Sequence, residues 1–460
     1  MLWSFLAGAL PVLAFPRAGL GWLAWVGLVP GLLLIRAAAD PARAWRRGWA
    51  FGFGYLLAAV SWMTPSIGPG VLVVALVFSA PWALWGLAVR ACRGAAALVV
   101  VPSVWVLGEY ARSWHGFGGP WAVFGVTQWR HPAVLALAGV GGVWALSFVL
   151  VLVNVALVEA DRRALAVAFA AVVAGPALYL LQGAPPVTGR FTVALVQPGI
   201  MPDPASRFDA GERITRTLPP VDLVVWGESS VGYDLRTRPD LRERVPGTAL
   251  VNEDARDAGG RISKSSVLLE DGAEQGRYVK TRLVPFGEYV PFRFALGWLT
   301  RISKAAGEDR VPGTGAAVMD VHGTAIAPIV CFESAFPDLG RAAVGMGARV
   351  IVVQSATSSF QDSWAPPQHA ALGAVRAAES GRPVVQAALT GVSAAFDARG
   401  RRLAWMDTGD RGAVVVPLDL PVRGHRTLYS RLGDLVPLLC LLVIAGLGVG
   451  TITEKSMRAS

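Results

Sequence analysis

Seven long apolar stretches precede residue 185 of this chain, and an eighth follows residue 430. A helix needs about 20 apolar residues to cross the hydrocarbon core of a bilayer, so these stretches predict membrane-spanning helices. The sequence is 53% hydrophobic and 16% charged, which is too apolar for a soluble protein of 460 residues and too interrupted for one that lies wholly in a membrane. The predicted spans are residues 2–17, 19–35, 48–66, 70–89, 94–112, 133–158, 164–182 and 432–452.

The spans divide the chain into four segments. We expect a membrane domain of seven helices over residues 1–185 and a water-exposed domain over residues 190–424. Residues 430–453 then form an eighth helix, and residues 454–460 form a short tail.

Basic residues are concentrated in alternate connections between the spans. By the positive-inside rule these connections lie in the cytoplasm, which places both termini inside and residues 190–424 on the extracytoplasmic side. The net charge of +10 is therefore partly a signal of membrane topology. The chain shows no basic stripe with interleaved aromatic residues, so nucleic acid is not an expected partner. The basic residues concerned are Arg36, Arg43, Arg46, Arg47, Arg90, Arg93, Arg162, Arg163, Lys455 and Arg458.

Short β-rich runs alternate with loops and helical stretches between residues 190 and 424. Strands that are almost continuously apolar, mixed with crossover helices, predict a layered α/β sheet with both faces covered. Residues 341–347 and 367–380 are predicted to be helical. The predicted strands are residues 191–197, 222–226, 264–270, 325–331, 349–354, 383–388, 392–397 and 412–418.

A glutamate, a lysine and a cysteine each end an apolar run of this domain. They are Glu228, Lys280 and Cys331, and Cys331 is the only one of the three cysteines that lies in residues 190–424. A carboxylate, an ammonium group and a thiol at strand ends can form a covalent acyl-transfer site. The five histidines show no metal-ligand spacing, so neither a metal nor a cofactor is predicted.

Each residue has a role in this hypothesis. Glu228 takes the proton of the Cys331 thiol, and the sulfur attacks an ester or amide carbonyl. Lys280 and the backbone amide of Phe332 are candidates to stabilise the oxyanion, an effect of roughly 3–4 kcal/mol for each donor. Taken singly, each residue also has a structural interpretation: a buried small side chain for Cys331 and solvated charges for Glu228 and Lys280.

Several motifs resemble those of the apolipoprotein N-acyltransferases, the membrane branch of the nitrilase (carbon-nitrogen hydrolase) superfamily. Residues 283–291 read Leu-Val-Pro-Phe-Gly-Glu-Tyr-Val-Pro directly after Tyr-Val-Lys at 278–280, and Cys-Phe-Glu follows at 331–333. The likeness covers nearly the whole chain, including Trp-Val-Leu-Gly-Glu-Tyr at 105–110 and Gly-Gly-Val-Trp-Ala-Leu-Ser-Phe at 141–148.

The resemblance implies an αββα sandwich carried on eight transmembrane helices in a bacterial inner membrane, and we expect a monomer. It implies that an acyl chain moves from a phospholipid to Cys331 as a thioester, and then to the α-amino group of a diacylglyceryl-cysteine at a lipoprotein N-terminus. Phospholipid, lipoprotein and membrane are thus the expected partners, with Glu228, Lys280 and Cys331 as the catalytic residues.

The resemblance also suggests supporting residues. Glu288 would pair with Lys280 and fix its position, the alternative being an ordinary loop carboxylate. Glu333 matches a family position near the nucleophile, the alternative being hydrogen bonding to the backbone. The candidates for contact with substrate are Phe208, Trp226, Phe286, Tyr289 and His369.

Some positions depart from the family pattern. The usual Trp-Pro-Glu is here Trp226-Gly227-Glu228, and glycine is expected to loosen the turn that aims the carboxylate. A family asparagine before the lysine is replaced by Lys264 or Ser265. We expect such changes to affect lipid preference and loop behaviour more than acyl transfer.

Two other functions are compatible with the sequence. One is a membrane-tethered amidase of the nitrilase type that discharges its thioester to water or ammonia. The other is a non-catalytic relative that binds lipids or lipoproteins, against which the intact set of Glu228, Lys280 and Cys331 argues.

Overall fold

The computed structural model describes residues 1–117, 119–256, 260–301 and 307–446. The chain divides into two compact units. The first comprises residues 1–64, 69–182 and 431–446, and the second comprises residues 65–68 and 183–430. The predicted tail 454–460 and the end of the predicted span 432–452 lie outside the described residues.

Helices make up the chain before residue 183. The α-helices are α1 Leu2–Ala9, α2 Val29–Arg36, α3 Pro41–Val60, α4 Thr64–Ile67, α5 Gly70–Phe78, α6 Pro81–Ala91, α7 Gly94–Arg112, α8 Pro132–Leu135, α9 Ala138–Glu159 and α10 Arg162–Gln182. Helix α9 is broken at Gly141 and Gly142, whose backbone angles are not helical. Tighter 3-10 turns cover Leu10–Ala14, Gly21–Trp25, Ser61–Met63 and Phe124–Gln128.

The described residues contain fewer full-length spanning helices than the eight that the sequence predicts. Four helices are long and apolar enough to cross a membrane, and a fifth span exists if the pair Gly70–Phe78 and Pro81–Ala91, bent by 41°, is counted as one. The other three predicted spans correspond to shorter apolar helices over Leu2–Ala14, Gly21–Arg36 and Leu435–Gly446. The four long helices are Pro41–Ile67, Gly94–Arg112, Ala138–Glu159 and Arg162–Gln182.

Helices α3 and α6 cross at a pair of glycines. A Cβ atom added to Gly48 would lie 2.7 Å from the Cα of Gly86 and 2.3 Å from the carbonyl oxygen of Trp82. Small residues allow helix backbones to approach this closely, which is a common way of packing helices in membranes.

Two six-stranded sheets form the second unit. The strands are β1 Val187–Gln197, β2 Leu223–Trp226, β3 Thr248–Arg256, β4 Ile262–Glu270, β5 Ala273–Val279, β6 Met319–Val321, β7 Thr324–Val330, β8 Val350–Ser355, β9 Val384–Ala388, β10 Ser393–Phe396, β11 Arg402–Met406 and β12 Gly412–Pro421. The first sheet has the order β12-β1-β2-β3-β4-β5 and the second the order β11-β10-β9-β8-β7-β6.

Six α-helices begin in the described residues between 183 and 430. They are α11 Pro204–Thr215, α12 Pro239–Arg244, α13 Arg293–Leu296, α14 Pro337–Gly345, α15 Ala365–Ser380 and α16 Leu428–Leu432. The 3-10 turns are Gly297–Arg301, Cys331–Ala335 and Ser358–Phe360.

The two sheets pack face to face. Inward side chains of the first sheet, such as Val225 and Leu250, share one buried cluster with Val330 and Val352 of the second. A second cluster on the outer face of the first sheet includes Phe208 of α11 and Leu241 of α12, while α15 packs on β9 and β10 of the second sheet. The layered α/β fold predicted from the sequence is therefore confirmed.

Candidate active site

The carboxyl ends of three strands bring the predicted residues together. Strands β2 and β3 are parallel, and β4 and β5 each pair antiparallel with the strand before them, so β2 and β5 run in the same direction. Glu228 and Lys280 thus follow strands that end at the same edge of the first sheet. In the second sheet Cys331 follows β7, which is parallel to β8. The Glu228 N–H donates to the carbonyl of Ser355 at the end of β8, at 3.1 Å, which fixes the two sheet edges against each other.

Cys331 occupies a strained position at the end of β7. Its φ of +52° lies in the left-handed region, which residues with a side chain seldom adopt. Such strain commonly marks functional sites. Its carbonyl oxygen lies 2.9 Å from Nε2 of His369 in α15. Burial is the largest cause and the charge of Glu228 the next, and together they raise the pKa of the thiol to about 12, although Lys280 acts in the opposite direction. The sulfur therefore holds its proton in the resting site.

The Glu228 carboxylate is surrounded by donors. Its Oε1 accepts from Lys264 Nζ at 2.8 Å and from Lys280 Nζ at 3.3 Å, and its Oε2 accepts from the Ala356 N–H at 3.0 Å. A hydrogen bond with Cys331 also acts on this carboxylate. Burial by itself would raise the pKa of Glu228, but the charges of the two lysines outweigh it and hold the pKa far below its usual range. Glu228 is therefore ionised in the resting site.

Glu288 holds Lys280 from the other side. Lys280 Nζ lies 2.9 Å from Oε2 and 3.0 Å from Oε1 of Glu288, and the Val284 N–H binds Oε2 at 2.9 Å. The Lys280 side chain is 1% exposed. Burial would lower its pKa, but Glu288 and Glu228 raise the pKa well above its usual value. Lys280 is therefore a fixed, permanently charged cation between two carboxylates.

Lys264 is a second buried lysine at this site. It lies on β4, its side chain is 7% exposed, and its ammonium group is closer to Glu228 than that of Lys280 is. From the sequence, Lys264 was only a departure from the family pattern and had no predicted role. The signal that was available is a lysine at the start of the predicted strand 264–270.

Glu333 joins the segment that carries the thiol to the segment that carries the lysine. Its Oε1 accepts from the backbone N–H groups of Thr281 and Arg282 at 2.6 and 2.9 Å and from the Tyr278 hydroxyl at 2.8 Å. Its Oε2 accepts from the Val330 N–H at 2.8 Å. Burial raises the pKa of Glu333 despite these hydrogen bonds. These contacts are the backbone hydrogen bonding that the sequence left as the alternative for this residue.

The turn at Gly227 is not loose, contrary to the expectation from the sequence. A Cβ atom at this position would lie 1.8 Å from the backbone nitrogen of Leu389. Any side chain would therefore collide with the chain that leaves β9. Glycine is needed because two backbones approach each other directly before Glu228.

The remaining candidates lie in different surroundings. Phe208 and Trp226 are each 1% exposed and pack against each other with ring centroids 5.4 Å apart. Phe286 and Tyr289 are half-buried in the loop that carries Glu288. Phe332 packs edge to face on Phe336, with centroids 5.3 Å apart. Contact of these residues with substrate stays a prediction.

His369 is buried beneath the nucleophile. Its Nε2 lies 3.1 Å from Ser334 Oγ and its Nδ1 lies 3.2 Å from Ser355 Oγ. Burial lowers the pKa of its imidazole. Within the described residues, no group of three or more His, Cys, Asp or Glu side chains could hold a metal ion.

Comparison with known proteins gives a match in each half of the chain. The family profile described as the apolipoprotein N-acyltransferase N-terminal domain matches residues 7–156, and the profile described as carbon-nitrogen hydrolase matches residues 244–425.

Full-length relatives are also similar. A protein of Geobacter metallireducens named apolipoprotein N-acyltransferase is 30% identical over 99% of this chain and 96% of its own length. One of the same name from Rhizobium meliloti is 31% identical over 96% of this chain and 94% of its own. Among solved structures, Saccharomyces cerevisiae Nit3, a member of branch 10 of the nitrilase superfamily, covers 52% of this chain and 93% of its own with 18% identity and a TM-score of 0.40.

Proposed function

This chain belongs to the apolipoprotein N-acyltransferase family, and we propose that it moves an acyl chain from a phospholipid through a Cys331 thioester to the α-amino group of a lipoprotein diacylglyceryl-cysteine. The observation that carries this proposal is the convergence of Glu228, Lys280 and Cys331 at one edge of the α/β sandwich. A thiol that must attack an ester needs both a proton acceptor and a cation for the oxyanion, and these residues supply them.

In the first half of the reaction the Cys331 sulfur attacks the ester carbonyl of the phospholipid. The C–S bond forms while the thiol proton passes to Glu228. The low pKa of Glu228 and the raised pKa of the thiol, about 12, make a free thiolate unfavourable, so proton transfer accompanies C–S bond formation. The oxyanion is stabilised by Lys280 and the Phe332 amide. The ester C–O bond then breaks, and Glu228 returns the proton to the alcohol of the departing lysophospholipid.

In the second half the α-amine of the lipoprotein attacks the thioester. The C–N bond forms, the C–S bond breaks, and Glu228 carries the proton from the amine to the sulfur. Glu288 keeps Lys280 in place through both halves by its contact of 2.9 Å. The reaction needs no redox partner because acyl transfer exchanges one acyl bond for another.

The setting we propose is a bacterial inner membrane. The eight apolar segments would anchor the chain, with both termini cytoplasmic and residues 190–424 on the extracytoplasmic side. Four to five long apolar helices in the described residues support a membrane anchor. Both substrates carry lipid chains, so a monomer fixed to the same bilayer meets them by diffusion in the membrane plane.

Mass spectrometry of a lipoprotein N-terminus tests this function. The full chain is incubated with phospholipid and a diacylglyceryl lipoprotein, with Cys331→Ala as the inactive control. We expect a gain of one amide-linked acyl chain on the lipoprotein and a matching amount of lysophospholipid. Released fatty acid without an acylated amine would instead identify a hydrolase, and no acyl product of either kind would identify a non-catalytic relative.

A further inference from the structure

The carboxylate of Glu228 is shared by two ammonium groups. Lys264 Nζ lies 2.8 Å from Glu228 Oε1, and Lys280 Nζ lies 3.3 Å from the same atom. One lysine is enough to neutralise one carboxylate, so the second one changes the charge of the site. The proposed reaction uses only Lys280, which leaves Lys264 without a role.

Lys264 completes a closed ring of alternating charges. Its Nζ lies 3.5 Å from Asp254 Oδ2, and Arg310 pairs with the other oxygen of Asp254. Arg310 lies 3.9 Å from Glu288 Oε1, and Glu288 leads back through Lys280 to Glu228. The ring therefore contains three cations and three carboxylates. Its inner members are buried, whereas the Asp254 and Arg310 side chains are 26% and 22% exposed.

The net charge of the ring is zero only when Lys264 is present. Without this lysine the site would hold three carboxylates against two cations, next to a thiol that must lose a proton. Burial acts against the charge of Lys264, but Glu228, Asp254 and Glu288 raise its pKa, so it stays protonated. An opposite charge within about 4–6 Å lowers the pKa of a carboxyl group by about 1–3 units.

We propose that Lys264 is a positioning residue of the active site, which holds Oε1 of Glu228 through its contact of 2.8 Å so that the carboxylate is aimed at Cys331. This inference rests on the proposed acyl transfer and adds a residue to it. Lys264 acts through Glu228 and makes no contact with the reacting acyl group.

Every group that faces Glu228 enters the expected pH dependence. Lys264 comes from β4, Lys280 follows β5, Cys331 follows β7 and the Ala356 N–H follows β8. At greater distance the ring members Glu288, Asp254 and Arg310, together with His369 of α15, act by charge. Because only ionised Glu228 can accept the thiol proton, acyl-enzyme formation falls as the pH drops through the pKa of Glu228.

The test is the pH profile of acyl-enzyme formation by the full chain in detergent or vesicles, with phospholipid as donor. Lys264→Gln keeps a hydrogen-bond donor and removes the charge, and Lys264→Met removes both. The acid limb of this profile is the range in which the rate of acyl-enzyme formation falls as the pH drops. We expect its midpoint in both variants to be about 1–3 pH units higher than in the unmodified protein. Lys264→Arg restores the charge and should move the limb back, while the KM for phospholipid should stay unchanged in all three.

Arg310→Met is the matched control. Arg310 is a cation of the same ring but does not contact Glu228. The acid limb of this variant should move less than that of Lys264→Gln. A purely structural Lys264 would lower the thermal unfolding midpoint without moving the limb, and that result in either Lys264→Gln or Lys264→Met overturns the inference. If the unmodified protein forms no acyl-enzyme, the proposed function itself fails, whereas an active protein with unmoved limbs refutes only the role of Lys264.

Discussion

The Thr281 N–H donates to Glu333 Oε1 at 2.6 Å, which joins the turn after Cys331 to the residue that follows Lys280. This hydrogen bond is one of four that Glu333 accepts, and three of the donors are backbone groups. The distance between nucleophile and cation is therefore set by one buried carboxyl group that takes no direct part in the chemistry.

Glu333→Gln should weaken both the fold and the activity. The amide nitrogen of glutamine would face groups that are themselves donors, so at least one buried N–H loses its acceptor, at a cost of about 1–3 kcal/mol. We expect a lower midpoint of thermal unfolding and acyl-enzyme formation that is slower by roughly tenfold to hundredfold, because small displacements of reacting groups are costly. Glu270→Gln is the control, since Glu270 is 44% exposed and pairs with His322. Equal behaviour of the two variants would contradict the bracing role of Glu333.

Gly227→Ala should destabilise the protein. The added methyl group would lie 1.8 Å from the Leu389 nitrogen, so one of two backbones must move, at a cost of about 1–3 kcal/mol or more. Chemical or thermal unfolding of the variant measures this cost. Gly189→Ala is the matched substitution, because nothing lies within 4 Å of a Cβ atom at that position. An unfolding midpoint for Gly227→Ala equal to that of Gly189→Ala would restore the idea of a loose turn.

Glu228→Gln should make the Cys331 thiol more reactive to an alkylating agent while it stops acyl transfer. Burial is the largest cause of the raised thiol pKa of about 12, and the Glu228 carboxylate is the next. Removing that negative charge lowers the thiol pKa, so the thiolate fraction at pH 8 rises, by about tenfold for each pKa unit. Peptide mass spectrometry after brief treatment with iodoacetamide reads Cys331 separately from Cys92 and Cys440. Alkylation that is slower than in the unmodified protein would show that Glu228 activates the resting thiol, against this account.

Strands and site residues could be predicted from the sequence where a local pattern of residues marks them. Strands β7, β8 and β9 are mostly apolar and lie between covered faces, and runs of this kind are typical of buried strands. Cys331 could be singled out because its run stops at a nucleophile. The motif at residues 283–291 added Glu288 as the partner of Lys280, which is the contact observed.

Strand β3 was missed for a physical reason. Its apolar pattern is broken by Asn252, Glu253 and Asp254, which the sequence presents as a polar loop. In the fold two of these side chains contact residues at the site: Asn252 accepts the Ser229 N–H at 2.8 Å, and Asp254 lies 3.5 Å from Lys264 on the neighbouring strand. Polar residues required by a site override the periodicity on which strand prediction depends.

Neither the charge ring nor the limits of the first helices could be predicted from the sequence, because both depend on three-dimensional geometry. The contact between Lys264 and Glu228 joins residues 36 positions apart, and no local sequence pattern predicts it. Hydropathy counts apolar residues but not helical geometry, so the stretch 2–17 was predicted as one span although α1 ends at Ala9 and a 3-10 turn with Pro11 follows.

Intact-mass measurement after incubation with phospholipid alone tests the central claim, that Cys331 carries the acyl chain, most directly. Without an acceptor the thioester cannot be discharged to an amine, so the unmodified protein should gain the mass of one acyl chain, and neutral hydroxylamine should remove it. Cys331→Ala should insert into membranes normally and gain no such mass. An acyl adduct that persists on Cys331→Ala, or a lipoprotein that this variant still acylates, would contradict the account.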